Sequence, residues 1–207
     1  MMPTWAWILI VVGAALLLAL LAAGLLARRR SGRLRGKFGP EYDRTVNRSG
    51  GRRAAEAELE GREAKRQRLR IAPLSPEARE RYLREWGDLQ QGFVDQPSRS
   101  LVEADRVVTD VMRERGYPMD DFEQRAADVS VDHPQVVEHY RTAHRIYTAD
   151  ERGEATTEEL RQAVVHYGAL FEELVEQNDE VQADEAEVRS GGREGEAGRA
   201  GEPEPRR

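Results

Sequence analysis

Two kinds of apolar pattern divide this chain. Residues 4–27, TWAWILIVVGAALLLALLAAGLLA, form one unbroken apolar run with no charged side chain. From residue 76 onward, apolar positions recur instead at intervals of three and four, the spacing of helices that bury one stripe. In PEARERYLREWGDLQQGFV the stripe is Tyr82, Trp86, Leu89 and Phe93; in SRSLVEADRVVTDVMRERG it is Leu101, Ala104, Val108 and Val111, flanked by Val107 and Met112. A shorter segment, MDDFEQRAADVSV, turns Phe122, Ala126 and Val129 inward. A fourth opens in VDHPQVVEHYRTAH and runs to about Asp150, and TTEELRQAVVHYGALFEELVEQ carries Leu160, Val164, Tyr167, Phe171 and Leu174. No alternating run bounded by hairpin turns interrupts the series, so the spacing predicts no strand.

Punctuation agrees with these spans. Ser75-Pro76 combines an N-cap with a first-turn proline, and Gly116 followed by Tyr117-Pro118 ends the second helix. Asp132 with Gln135, and Thr156 with Glu159, have capping-box spacing, which predicts helix starts at both places. The fold expected is all-α: an N-terminal transmembrane helix over 4–27, a helical spacer, a compact antiparallel bundle of four to five helices over 76–177 and a disordered tail over 178–207. The tail follows from composition, since NDEVQADEAEVRSGGREGEAGRAGEPEPRR has too little apolar surface to offset its ordering entropy. Residues 28–51 hold Gly32, Gly36, Gly39, Pro40, Gly50 and Gly51 without apolar periodicity and read as an irregular juxtamembrane linker. Residues 52–72 are rich in helix formers, but only Leu59, Leu69 and Ile71 are large and apolar, so the expectation is a solvated helical spacer with no seam for a coiled coil.

Charge decides how the N-terminal run is read. The formal net charge of −6 conceals a polarised chain: 15 Arg and Lys against 6 Asp and Glu in residues 28–70, and 17 against 32 beyond them. At ~1.5 Å per residue the run reaches about 36 Å, enough for a hydrocarbon core of ~30 Å. A cleaved signal peptide would need a basic segment before a shorter apolar stretch, whereas here the basic residues follow the run. Arg28, Arg29, Arg30, Arg33, Arg35 and Lys37 therefore mark the cytoplasmic interface, and Trp5 and Trp7 the opposite one. This orientation places the N-terminus outside and the rest of the chain in the cytoplasm, in the cell (inner) membrane. The same cations could hold anionic lipid head groups. Ala15, Ala19, Ala23 and Ala27 form a small-residue stripe through which two such helices could associate.

Candidate chemistry is confined to histidines. With no cysteine, the chain has no disulfide, thiolate metal site or cysteine nucleophile. No phosphate-binding glycine loop, dinucleotide fingerprint or nucleophile elbow is present. Three of the four histidines, His133, His139 and His144, lie within residues 131–144. His139 and His144 are five residues apart and diverge on a helix, whereas a metal pair needs a spacing of three or four. At about 100° per residue His144 shares the core-facing side with Tyr140, and His139 points outward. His144 therefore needs a buried partner, such as an acidic group on a facing helix, and His139 needs none. Only His166, from the last helix, could join one of them. No catalytic, cofactor-binding or metal residue is assigned, and the chain is not expected to be an enzyme.

Beyond spacing, FGPEYDRTV at 38–46 and RGYPMDDFEQRAADVSVDHPQVVEHYRTAH at 115–144 resemble a family of uncharacterised bacterial proteins frequent in actinobacteria. That resemblance implies one N-terminal membrane helix and a helical domain, with no activity attached. The function expected is a membrane-anchored protein-interaction module, a scaffold or adaptor, with Tyr117, Pro118 and Phe122 as a possible partner surface. The alternatives are a tethered metal-dependent or acid–base enzyme using the bundle histidines, and an anionic-lipid or nucleic-acid binder using residues 28–70. Within that segment, residues 52–70 interleave no aromatics for base stacking, which argues against nucleic acid.

Overall fold

The computed structural model describes residues 4–176, with side chains from residue 13 onward except Ala14, Ala15, Ala19 and Ala23. Among the described residues every regular element is a helix. In chain order they are α1 (Thr4–Phe38), α2 (Pro40–Arg48), α3 (Arg52–Arg66), α4 (Pro76–Gly92), α5 (Pro97–Arg115), α6 (Phe122–Asp132), α7 (Val137–Asp150) and α8 (157–176). The described residues divide into two compact units, residues 4–67 with 130–135, and residues 68–129 with 136–176. The expected tail over 178–207 lies outside the described residues.

The second unit is the helical bundle that the stripes predict. Its core gathers Tyr82, Trp86, Val108, Tyr140, Tyr167 and Phe171, among others, from α4, α5, α7 and α8. Trp86 stacks on Phe171 with ring centroids 4.5 Å apart. Gly168 permits this approach, because a Cβ there would stand 3.3 Å from the indole. Three predicted caps form. Ser75 accepts from the Ala78 N–H at 3.1 Å, and Pro76 follows it. Thr156 and Glu159 make a reciprocal box: the Thr156 N–H donates to the carboxylate at 2.8 Å, and the Glu159 N–H to the hydroxyl at 3.3 Å. Gly116 closes α5 at φ +97°, with the Tyr117 N–H donating to Met112 O at 3.0 Å. The Arg70 carbonyl oxygen lies only 2.5 Å from where a Cβ of residue 116 would sit, so any side chain there collides with backbone.

The first unit departs from expectation. Residues 28–38 are not linker but the continuation of α1, and 40–48 form α2. Leu34, Phe38, Tyr42, Leu59 and Val131 build a small buried cluster. Gly32 and Gly36 cost helix propensity, but Leu34 and Phe38 bury completely against α2 and α3, which offsets it. Nor is α3 a solvated spacer. Ala55, Leu59 and Arg62 are buried, and the Arg62 guanidinium donates to Glu41 at 2.7 Å, Ser130 at 2.9 Å and Glu58 at 2.6 Å. A polar residue thus completes the inner face of a helix that has too few apolar ones.

The expected helix start at Asp132 is also corrected. Asp132 is the last residue of α6, its carboxylate takes the Arg66 guanidinium, and α7 begins at Val137 with Val136 as a cap that uses no side chain. Pro134 explains the shift, because it disfavours helical backbone at His133 and stops α6 there. The transmembrane expectation for 4–27 finds no support: among the described residues no helix is long and apolar enough to cross a membrane. Many side chains of that run fall outside the described ones, including Trp5, Trp7, Ala15, Ala19 and Ala23.

Candidate functional site

Two features of the bundle gather polar chemistry. The first is the seam between α7 and α8, where residues in successive positions face each other. Tyr140 meets Tyr167 edge-on at 6.1 Å, and His139 meets His166 with Nδ1 to Nδ1 at 2.8 Å. His139 is therefore not the outward ring that the apolar stripe implies, because α8 covers the flank of α7 on which it sits. The contact requires one Nδ1–H to donate and the other Nδ1 to accept, so at least one ring is neutral at that atom. His166 is held below the ordinary histidine range by burial, by His139 and by the Arg145 guanidinium. Two nitrogens make an incomplete site: among the described residues no group of three or more His, Cys, Asp or Glu could hold a metal.

His144 lies on the inner side, as its position in the stripe predicts. Its ring is stacked on Phe122 at 3.6 Å and on Tyr147 at 5.8 Å. Asp105 on α5 is the acidic group expected opposite it, yet it stands 4.0 Å from Nδ1, and that nitrogen has no hydrogen bond. The Asp105 carboxylate is engaged instead by the Tyr167 hydroxyl at 2.6 Å, a contact that with burial pushes the phenol far up. Burial drives His144 down from its ordinary pKa, with Asp105 opposing. Its ring is thus a packed aromatic at neutral pH. His133, fully buried, belongs to the first unit.

The second feature is a cleft of about 370 Å³ between α4 and α5, near the turn that joins them. Glu85, Asp88, Asp95 and Glu103 line it together with Arg99 and Arg106. Arg106 is consumed by its neighbours, donating to Glu85 at 2.9 Å, Glu103 at 2.8 Å and Asp110 at 2.9 Å. Arg99 donates to the amide oxygen of Gln96 at 3.2 Å. Asp88 and Asp95 are exposed and take no hydrogen bond or ion pair from any described residue. The cleft is not legible in the sequence because its acids are spread over two helices and the turn between them and resemble any solvated surface.

Tyr117 is buried at 3% exposure, and Phe122 packs against Tyr140 and His144, so this turn caps the core, with Pro118 and Phe122 partly open. Of the six cations after the apolar run, four pair within the first unit. Arg30 reaches Glu60 at 2.6 Å, Arg33 reaches Glu63 at 2.9 Å, Arg35 reaches Asp43 at 2.7 Å and Lys37 reaches Glu63 at 3.0 Å. Burial alone would raise the Glu63 pKa, but hydrogen bonds from Lys37 and Arg33 bring it below the carboxylate range. Arg28 and Arg29 are exposed and make no ion pair with a described residue. Ala27 is exposed, whereas the side chains of Ala15, Ala19 and Ala23, like those of Trp5 and Trp7, lie outside the described ones. No family model, no curated protein and no solved structure matches the chain.

Proposed function

We propose that this chain is a membrane-anchored helical protein-interaction module, with residues 4–27 as the anchor and the bundle as the binding part. The observation that carries the reading is the surface of α1. Leu16, Leu17, Leu18, Leu20, Leu21, Leu25 and Leu26 are 56–71% exposed in a helix without a charge before Arg28. Seven uncovered leucines are far more than the scattered apolar side chains a water-facing helix shows, and they need an apolar surrounding. A lipid bilayer would supply it around Leu16–Leu26, and the arginines from Arg28 onward suit the head-group boundary. In this reading the N-terminus is outside and the bundle is cytoplasmic; the bacterial family that residues 38–46 and 115–144 resemble also has one membrane helix and a helical domain. Ala27 and the alanines spaced before it leave room for self-association of the anchor.

The interaction role is supported by the α4–α5 cleft, whose unpaired carboxylates are exposed on a rigid helical hairpin. Membrane fractionation of the full chain tests the anchor. The protein should stay with the membrane through an alkaline carbonate wash, and a variant lacking residues 4–27 should not. Release of the full chain by carbonate sinks the anchor. A reporter fused after Arg207 should be active only in a cytoplasm-competent form; activity of a periplasm-dependent reporter there reverses the orientation.

A further inference from the structure

Resting on that reading, we infer that the tip of the α2–α3 hairpin, with Arg48, Arg52 and Arg53, docks on anionic phospholipid head groups of the bilayer, beside the point where α1 leaves it. Register is the first argument. α3 runs in the same direction as α1, because Arg30 reaches Glu60 and Arg33, one turn on, reaches Glu63. Glu56 fixes the level: it is buried, and it accepts from Ser31 of α1 and from Tyr42 of α2 at 3.0 Å. Both helices rise ~1.5 Å per residue, so one turn before that contact Arg52 of α3 stands level with Ala27 of α1. α3 thus begins where the exposed leucines of α1 end at Leu26 and its cations start at Arg28.

Charge is the second argument, and its distribution matters more than its amount. Arg28, Arg29, Arg48, Arg52 and Arg53 gather at this end of the first unit, all exposed. The carboxylates at the same level are Glu56 and Glu58. Arg52 acts on the first through space, and Arg48 pairs with the second, which Arg62 also holds. Arg28, Arg29 and Arg53 make no ion pair with a described residue. Further from the leucines the pattern reverses: Arg33, Lys37, Arg35 and Arg66 each face a carboxylate. The uncompensated cations therefore lie on one level of the unit, the level at which an apolar surrounding of α1 would give way to head groups.

Shape decides between anionic partners. The turn between α2 and α3 is Ser49, Gly50 and Gly51, and a Cβ at either glycine would meet nothing, so a flat surface can approach the backbone closely. No side chain caps α3 at Gly51, which leaves its first N–H groups facing the same end as the arginines. Phosphate groups suit both kinds of donor. A nucleic acid would offer phosphates too, but its bases call for exposed rings, and Phe38 and Tyr42, the aromatics of residues 28–67, are both buried. The surface that continues from the tip is leucine, which suits lipid.

The test reconstitutes the full chain in lipid nanodiscs. The chain has no cysteine, so Ala54→Cys, exposed beside Arg53, gives one site for an environment-sensitive dye. Ala64→Cys, also exposed and about 15 Å further along the same helix, gives the comparison. The probe is phosphatidylglycerol mixed into phosphatidylcholine discs, with a spin label on the head groups as quencher. Quenching at position 54 should rise at least threefold from phosphatidylcholine to the mixed discs and fall again with added salt, while position 64 stays unchanged. Arg52→Gln with Arg53→Gln should remove most of that rise. Arg53→Gln alone should remove part of it, and since Arg53 has no ion pair within the described chain, that loss is not a folding defect. Equal quenching at position 54 in the two kinds of disc, an equal rise at position 64, or indifference to both arginine changes would each overturn the inference. A response at position 54 to a single-stranded oligonucleotide in phosphatidylcholine discs, with none to phosphatidylglycerol, would overturn it in favour of nucleic acid. A chain that elutes apart from the discs fails the anchor and this inference with it; one that stays in the disc without a response at position 54 fails the docking alone.

Discussion

A single hydrogen bond between two rings makes the bundle sensitive to acid. His139 and His166 face each other at 2.8 Å, an arrangement that a second proton at the shared position breaks. His166 in the folded chain has its pKa below the ordinary 6.5, through burial, His139 and Arg145. The unfolded chain then binds more protons than the folded one as pH falls through 6.5, so stability is full above that value and declines below it. Denaturation curves at a series of pH values should show this loss, and His166→Gln should reduce it, leaving the part that His144 contributes. An unchanged midpoint between neutral pH and pH 5 would remove the histidine pair from the account. Gly116 is the other residue whose role is set by its surroundings. Gly116→Ala forces an L side chain into left-handed backbone and against the Arg70 carbonyl, with an expected loss of at least about 1–2 kcal/mol. Chemical unfolding of the variant measures it directly.

Within single elements, local chemistry and tertiary packing compete, and the boundaries show which wins. The Thr156–Glu159 box forms as its spacing predicts, since every partner lies within four residues. Thr156→Ala should cost ~1 kcal/mol, measurable by chemical denaturation, because it leaves first-turn N–H groups of α8 without their acceptor. The Asp132–Gln135 box has the same spacing and does not form. There a rival exists: Arg66 claims the aspartate, and Pro134 ends α6 just ahead of it. Spacing cannot reveal such a rival, because Arg66 lies 66 residues away in sequence. The same holds for α1 beyond Ala27. Two glycines and scattered arginines read as linker, until Leu34 and Phe38 find a surface on α2 and α3 that makes a continuous helix worthwhile.

At the scale of the whole molecule, the polarised charge of the chain is partly spent internally. Arg30, Arg33, Arg35 and Lys37 face Glu60, Glu63 and Asp43, which lie in the same basic stretch of sequence. Exposed pairs of this kind are worth little in stability, but they reduce the positive charge offered to a membrane surface. Binding of the full chain to anionic vesicles through the cations that follow Ala27 should therefore depend mainly on Arg28 and Arg29. Replacing both with glutamine should remove more of the salt-dependent adsorption, scored by its slope against ionic strength, than replacing Arg30 and Arg33. The opposite ranking would show that the internal pairs open at the lipid surface.

Apolar period alone determined the helical class and the spans of the bundle, because burying a stripe every three or four residues is a requirement that each helix meets from its own sequence. Cap chemistry with local partners was legible for the same reason. Tertiary structure decided everything that depends on a distant partner. It folded the apparent linker into a helical unit around Arg62, turned His139 from a solvent-facing ring into half of a pair, and buried the turn at Tyr117. It also gathered Asp88, Asp95 and Ser100 around one cleft. Those carboxylates and that hydroxyl are ordinary residues of α4, the turn after it and α5, and they share a cleft only where α4 and α5 stand side by side.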